Sequence, residues 1–115
     1  MADRMAGRRV GMVIGVREER LDEYRALHAD DHPGVRDLLA AAGIRNFSIF
    51  IERLPDGALY LFGSYEYHGE DYEADMARLA AEPRNRAWLE MTDPMQIPLP
   101  GERSWKVMEE VYHNR

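Results

Sequence analysis

The sequence predicts an α+β domain of the ferredoxin-like type, with a four-stranded antiparallel sheet and helices on one of its faces. Three observations lead to this prediction. Segments with a hydrophobic period of two alternate with segments of helical period, in the order β-α-β-β-α-β. The length of 115 residues is that of one domain. A content of 45% hydrophobic and 31% charged residues is typical of a globular protein with a buried core.

The first part of the chain predicts a leader, a strand and a helix. We expect a disordered leader over residues 1–8 and a single domain over residues 9–115. The apolar, β-branched run over 9–16 indicates a strand. From Glu18 the apolar residues recur every three or four positions, which indicates one face of a helix. Pro33 interrupts this helix, because the residue before a proline avoids the α region.

The middle of the chain predicts a second helical piece, a β-hairpin and a further helix. The second helical piece ends at Gly43, a residue type suited to a helix C-terminus. Alternating apolar residues indicate strands over 44–53 and 58–67, and the Pro-Asp-Gly turn at 55–57 joins them as a hairpin. Apolar residues at helical spacing then predict a helix over 70–81.

The last part of the chain predicts a short helix over 85–91, a proline-rich loop and a final strand over 104–112. The second and third strands carry large apolar side chains on both faces, for example Phe47 on one face and Phe50 on the other. Helices cover one face of such a sheet, and soluble monomers rarely expose an apolar patch of several hundred Å². We therefore predict a homodimer that packs through its sheets, a deep pocket on the open face, or both.

The composition argues against several classes of protein. The chain has 21 acidic and 15 basic residues, and a formal charge of −6 without a basic run argues against binding to nucleic acid or to an anionic membrane. It has no cysteine, which rules out disulfides and thiol nucleophiles. No segment has the roughly 20 apolar residues of a membrane span. The apolar run after Arg9 is too short for a secretion signal, so we expect a cytoplasmic protein.

His28 is the first candidate for catalysis. It lies one helical turn after Tyr24, so the two side chains share a face. An imidazole can give and take a proton near neutral pH, while a core-edge histidine satisfied by a neighbour is the structural alternative. His28 and His32 also form an H-x-x-x-H pair. The break at Pro33 and the lack of a glutamate directly after His28 argue against a metal site there.

Aromatic side chains are a second set of candidates. Trp88, Trp105 and Tyr60 can form a flat platform for a ligand, although a place in the core is the more common role for any one of them. The sequence contains no G-x-G-x-x-G segment, phosphate-binding loop or G-x-S-x-G segment, so nucleotide-binding and serine-hydrolase functions have no support. The residues alone thus predict a small cytoplasmic, dimeric α+β domain with one acid/base histidine.

Four segments of the chain form motifs when they are taken together. They are 22–28 (DEYRALH), 43–50 (GIRNFSIF), 88–95 (WLEMTDPM) and 108–113 (MEEVYH). In this order they resemble the E-Y-x-x-x-H, G-x-x-N-Y-x-I-[FY], W-x-x-M-x-D-x-M and L-x-E-V-[FY]-H segments of the L-rhamnose mutarotase family. The resemblance extends over residues 10–113.

The resemblance implies a dimeric ferredoxin-like domain that interconverts the α and β anomers of L-rhamnose without a cofactor or metal. His28 matches the family's catalytic acid, Tyr24 a sugar-binding tyrosine, and Trp88 the second of two adjacent sugar-binding tryptophans. Two positions depart from the family. Phe47 stands where a sugar-contacting tyrosine is usual, and Ala87 stands where the first tryptophan is usual. These departures leave open which deoxy sugar is bound.

Anomer exchange needs only acid/base groups. A pyranose opens when its ring oxygen gains a proton and its anomeric hydroxyl loses one, and a group that titrates near neutral pH contributes roughly 10²–10⁴-fold. Tyr24, Phe47 and Trp88 can form walls for a deoxy sugar. Asp93 can bind a sugar hydroxyl, assist as a base, or cap its own loop. Two other functions stay open: a dimeric α+β-barrel enzyme acting on another small molecule, and a sugar-binding dimer without catalysis.

Overall fold

The computed structural model describes residues 8–115, so the expected leader lies, except for its last residue, outside the described residues. The strands are β1 (Arg9–Val16), β2 (Ile44–Arg53), β3 (Leu59–Tyr67), β4 (Gln96–Ile97) and β5 (Lys106–Met108). The helices are α1 (Leu21–Leu27), α2 (Arg36–Ala41), α3 (Tyr72–Ala81) and α4 (Pro83–Thr92), with 3₁₀ turns at Glu18–Arg20 and Asp93–Met95. In the described part of the chain, none of the helices could span a membrane.

The strands form one antiparallel sheet with β1 at its centre. β3 pairs with β1 on one side and with β2 beyond it, which gives the order β2-β3-β1. On the other side of β1, β5 pairs with residues 11–13 and β4 pairs with residues 15–16. The two short strands therefore share the fourth position of the sheet. This arrangement confirms the predicted α+β fold with an antiparallel sheet.

The last strand differs from its predicted range of 104–112, because only Lys106–Met108 pair in the sheet. Backbone pairing with β1 stops at Met108, and a side-chain contact continues the register beyond it. Gly11 lies opposite Met108, and the guanidinium of Arg9 donates to both carboxylate oxygens of Glu110. Since β1 begins at Arg9, the residues that follow Glu110 have no β1 residue opposite them. Strand β4 lies in the segment for which the prolines predicted a loop.

The core lies between the sheet and the helices. Alternate residues of β1 and β3 point to this side, and the register places Val10 opposite Tyr65 and Ile14 opposite Leu61. All four of these residues are at most 9% exposed. Tyr24 of α1 packs with Ile14 and Leu61 at one end of the sheet. At the other end the core is covered from α3 by Tyr72, Met76 and Leu79.

The opposite face of the sheet is open in the single chain. Phe50 of β2 is 66% exposed and lies opposite Phe62 of β3, which is only partly buried. Ile97 and Met108 add exposed apolar side chains from β4 and β5. The expectation of large apolar groups on both faces of the second and third strands is therefore confirmed. The structure contains one chain and leaves the predicted dimer untested.

Candidate active site

Helix α1 ends directly before His28, and this ending brings the imidazole back over the helix. Nδ1 of His28 lies 2.7 Å from the backbone carbonyl oxygen of Tyr24, one turn earlier. Carbonyls in the last turn of a helix lack their usual backbone donors, so a side chain can bond them. The rings of Tyr24 and His28 stack with their centroids 4.1 Å apart and their planes 24° apart. The predicted shared face is thus a direct ring contact.

The hydrogen bond to Tyr24 determines which nitrogen of His28 carries the proton in the neutral ring. A carbonyl oxygen only accepts hydrogen bonds, so Nδ1 must donate. Nε2 of the neutral ring then keeps its lone pair. Burial lowers the pKa of His28 below its ordinary value, and the charges of Arg36 and His32 lower it further, while the Tyr24 carbonyl acts in the opposite direction. At neutral pH the ring is therefore a proton acceptor at Nε2.

Tyr24 is the buried partner in this pair. It is 4% exposed, and its hydroxyl accepts a hydrogen bond of 3.4 Å from the side-chain amide of Gln96. Burial raises the pKa of the Tyr24 phenol, so it stays protonated at neutral pH and can donate to a ligand. Gln96 is itself buried and belongs to β4. The pairing of β4 with β1 places its amide next to helix α1.

Trp88 of α4 approaches the His28 ring from another side. The ring centroids are 5.2 Å apart with the planes at 66°, which is an edge-to-face contact. Gly34 lies against the indole, because a Cβ atom added at this residue would lie 3.3 Å from two of its ring atoms. Arg84 fastens the start of α4 to this loop by donating to both carboxylate oxygens of Asp37 and to the carbonyl of Gly34. These contacts place Trp88 beside the end of α1.

A cavity of about 690 Å³ opens between α1, α4 and the sheet. This volume is within the range of small-molecule sites. All five residues that the sequence predicts for the site line it, namely Tyr24, His28, Phe47, Trp88 and Asp93. A second cavity of about 270 Å³ also touches the Tyr24–His28 pair but none of the other three residues. The larger cavity is therefore the candidate active site.

Phe47 and Asp93 contribute opposite properties to the cavity. Phe47 lies where the pairing of β2 with β3 shifts register, next to Asn46 with its positive φ of 52°, and its ring contacts Tyr65 at a centroid distance of 5.4 Å. It adds an apolar wall. Asp93 follows α4 directly, and partial burial raises the pKa of its carboxyl above the ordinary value. It can accept a hydrogen bond from a hydroxyl group of a ligand.

The cavity also has lining residues that the sequence analysis did not assign to the site: His32, Asn85, Thr92, Gln96 and Ser104. Helical spacing could have found two of them, because Asn85 and Thr92 lie three residues before and four after Trp88 on α4. Gln96 lies in a two-residue strand and Ser104 in a loop, where residue spacing does not predict which side chains lie together.

The structure separates the other aromatic candidates. Trp105 lines the cavity and also packs against the core. Tyr60 is not among the lining residues and instead donates to the Asp56 carboxylate in the hairpin at 2.5 Å. The helical frame of the H-x-x-x-H pair is also absent, since α1 ends at Leu27. Within residues 8–115 no group of three or more acidic or histidine side chains is arranged to hold a metal ion.

Comparison with known proteins bears on the family and the fold of this chain. The family model described as L-rhamnose mutarotase matches residues 9–114. A crystal structure of an L-rhamnose mutarotase from Formosa agariphila superimposes with a TM-score of 0.69 at 18% sequence identity, covering 93% of this chain and 98% of that one. At this identity the structural similarity concerns the fold. A comparison with curated proteins by sequence finds no match.

Proposed function

The chain belongs to the L-rhamnose mutarotase family, and on this premise we propose that its large cavity binds the pyranose with His28 as the group that moves the proton. The family's enzymes are isomerases that interconvert the α and β anomers of L-rhamnose. The observation that carries the proposal is the Nδ1–carbonyl hydrogen bond, because it leaves the Nε2 lone pair of His28 available.

Proton transfer in this proposal begins with the neutral imidazole. Nε2 of His28 takes the proton of the anomeric hydroxyl, the bond from the anomeric carbon to the ring oxygen breaks, and an aldehyde forms while the ring oxygen takes a proton from water. Rotation of the aldehyde and closure on its other face give the second anomer. In this step the imidazolium returns its proton to the new anomeric hydroxyl and the former ring oxygen gives its proton back to water, so the enzyme ends as it began. The stacked Tyr24 ring holds the imidazole in place throughout.

The remaining lining residues suit a 6-deoxy sugar. Tyr24, Phe47 and Trp88 present aromatic surfaces to the methyl group and the C–H faces of such a sugar. Asp93 binds a hydroxyl group of the sugar. Because its pKa is raised, its carboxylate is a better proton acceptor for that hydroxyl than the carboxylate of an exposed aspartate. The missing hydroxyl at Phe47 leaves a less polar wall on the side of β2.

The proposed active unit is a homodimer. Its support is the open sheet face, on which Phe50, Ile97 and Met108 are exposed. A second copy that packs against this face would bury these side chains, whereas a monomer would leave them in water. The helix side, where the cavity opens, stays accessible in such a dimer.

We place the protein in the cytoplasm. The apolar run that begins at Arg9 is the central strand β1, whose residues Val10, Met12 and Ile14 belong to the core. Its removal with a cleaved targeting segment would destroy the sheet. Immunodetection in separated cytoplasmic and exported fractions tests this location, and a protein found only in the exported fraction would contradict it.

Saturation-transfer proton NMR tests the activity. L-Rhamnose, with L-fucose beside it, is observed at a mildly acidic pH where spontaneous anomer exchange is slow. Enzyme-dependent transfer between the anomeric protons of L-rhamnose is the expected result. No transfer with either sugar would mean that the changes at Phe47 and Ala87 have directed the chain to another ligand or abolished catalysis.

A further inference from the structure

The cavity that contains His28 has a second imidazole. His32 lies in the turn between α1 and α2, and its ring centroid is 5.9 Å from that of Trp88. The ring of His28 is 5.2 Å from the same indole. Two imidazoles therefore lie beside one aromatic wall, and only one of them has a part in the proton transfer described above.

The ring of His32 differs from that of His28 in its hydrogen bonding. Nδ1 of His28 bonds the Tyr24 carbonyl, whereas Nδ1 of His32 is buried and has no partner in residues 8–115. Buried polar groups in folded proteins are nearly always paired, and leaving one unpaired costs free energy. Each exception in a folded protein needs an explanation, and a functional role is one of those that are known.

Asn85 on α4 brings an amide to the same cavity. It is 6% exposed, lines the same cavity, and lies one helical turn before Trp88. Among the described residues no group bonds its amide. By contrast, the buried amide of Gln96 donates to Tyr24. Asn85 and His32 thus bring unused donors and acceptors to the region around the indole.

We propose that His32 and Asn85 form a second polar subsite of the cavity, which hydrogen-bonds ring hydroxyls of the sugar beside Trp88. This inference rests on the proposed mutarotase function. A hydroxyl both donates and accepts, as do an amide and a neutral imidazole, so Asn85 can form a matched bond with it directly and His32 can do so when its ring turns the buried Nδ1 toward the cavity. The subsite determines specificity, because a sugar without a hydroxyl at this place leaves the two side chains unpaired again.

The decisive variant is His32→Phe, which keeps an aromatic ring next to Trp88 and removes both nitrogens. We expect the KM for L-rhamnose to rise about tenfold, the loss expected for a hydrogen bond, with a smaller change in kcat. Asn85→Leu should raise the KM in the same way. His32→Gln keeps a donor and an acceptor and should recover part of the lost affinity. His68→Phe makes the same chemical change at an exposed residue outside the cavity lining and serves as the control.

The outcomes separate this inference from the proposed function. If the KM of the His32→Phe variant stays within about twofold of the wild-type value, the subsite is disproved. Anomer exchange by the wild-type protein supports the mutarotase function in either case. A large loss of kcat at constant KM would assign His32 to proton transfer and would also overturn it. The Kd of L-rhamnose from tryptophan fluorescence tests binding without catalysis, and an unchanged Kd in a folded His32→Phe protein overturns the subsite even if exchange is absent. Circular dichroism verifies that each variant folds.

Discussion

A single residue, Tyr24, determines both the tautomer and the position of the His28 imidazole. Its carbonyl holds the proton at Nδ1, and its ring packs on the imidazole. The side chain of residue 28 therefore needs two properties: a donor close to its Cβ and a basic atom farther out. Histidine combines both, and an asparagine side chain has only the first.

This reasoning predicts the effect of His28→Asn. The amide nitrogen can still donate to the Tyr24 carbonyl, but no basic atom reaches the sugar. Enzyme-dependent anomer exchange should fall roughly 10²–10⁴-fold, while the melting temperature stays close to that of wild type. Saturation-transfer NMR and thermal unfolding measure the two quantities.

His68→Asn is the matched control, because His68 is exposed and bonds Glu66 away from the cavity. It should leave the exchange rate unchanged. A folded His28→Asn protein that exchanges anomers at the wild-type rate would disprove the role of His28.

The pH dependence of catalysis follows from the lowered pKa of His28. An exposed histidine titrates near 6.5, and burial moves His28 below this value. The neutral ring is the base, so protonation inactivates it. The enzyme-dependent kcat/KM should thus stay level around neutral pH and fall with decreasing pH only below 6.5. Exchange rates across the acidic range, corrected for the spontaneous reaction, measure the midpoint. A midpoint of the pH profile above 6.5 would contradict a buried environment that lowers the pKa of His28.

At the scale of elements, the site depends on how α4 meets the loop between α1 and α2. Arg84 bonds Asp37 and the carbonyl of Gly34, and Gly34 lies against the Trp88 indole. The Arg84–Asp37 pair is largely exposed, so it contributes little to stability. Its effect is geometric, because it keeps the indole next to the two imidazoles.

Gly34→Ala tests this contact. Gly34 has a φ of +54°, where a Cβ atom costs roughly 1–2 kcal/mol. The new methyl group would also lie 3.3 Å from the indole and would push it from its position. We expect lower stability in denaturant unfolding together with a KM raised severalfold.

The control for this variant is Gly57→Ala. Gly57 has a φ of +85° in the hairpin, and nothing lies within 4 Å of an added Cβ. This change should lower stability through the backbone conformation alone, and it should leave kcat and KM unchanged. If both variants have the wild-type KM, the close approach of Gly34 to Trp88 has no part in binding.

At the scale of the whole molecule, the two faces of the sheet have different environments. The helices cover the side that carries Val10, Ile14 and Leu61, and the other side leaves Phe50 in water. A chain of this size has a modest core, so burial of the open face against a second copy would add substantially to stability. The exposed tail after Glu110 carries Val111 and Tyr112, which are also largely exposed.

Light scattering at micromolar concentration should accordingly give about twice the chain mass of 13.3 kDa. Phe50→Asp should reduce this to the mass of one chain, because a buried carboxylate without a partner is unfavourable in an apolar interface. Met91→Asp introduces the same charge at an exposed methionine on α4 and should leave the dimer intact. A wild-type monomer would refute packing through the sheet.

Local patterns were sufficient to predict most elements and part of the site. The apolar, β-branched run over 9–16 and the alternation over 44–53 predicted strands, and the structure has strands with these same bounds. Tyr24 and His28 share a face because they are one helical turn apart. Trp88 was one of three aromatic candidates, and the resemblance to the family's motif singled it out.

The sequence by itself determined the α+β class, the hairpin of β2 and β3 and the Tyr24–His28 pair, because each depends on residues close together in the chain. Tertiary structure alone decided that β4 and β5 share one edge of β1, and that His32 and Asn85 line one cavity with Trp88. These contacts join segments that are distant in the chain. Their geometry follows from packing of the whole core, which no local spacing encodes.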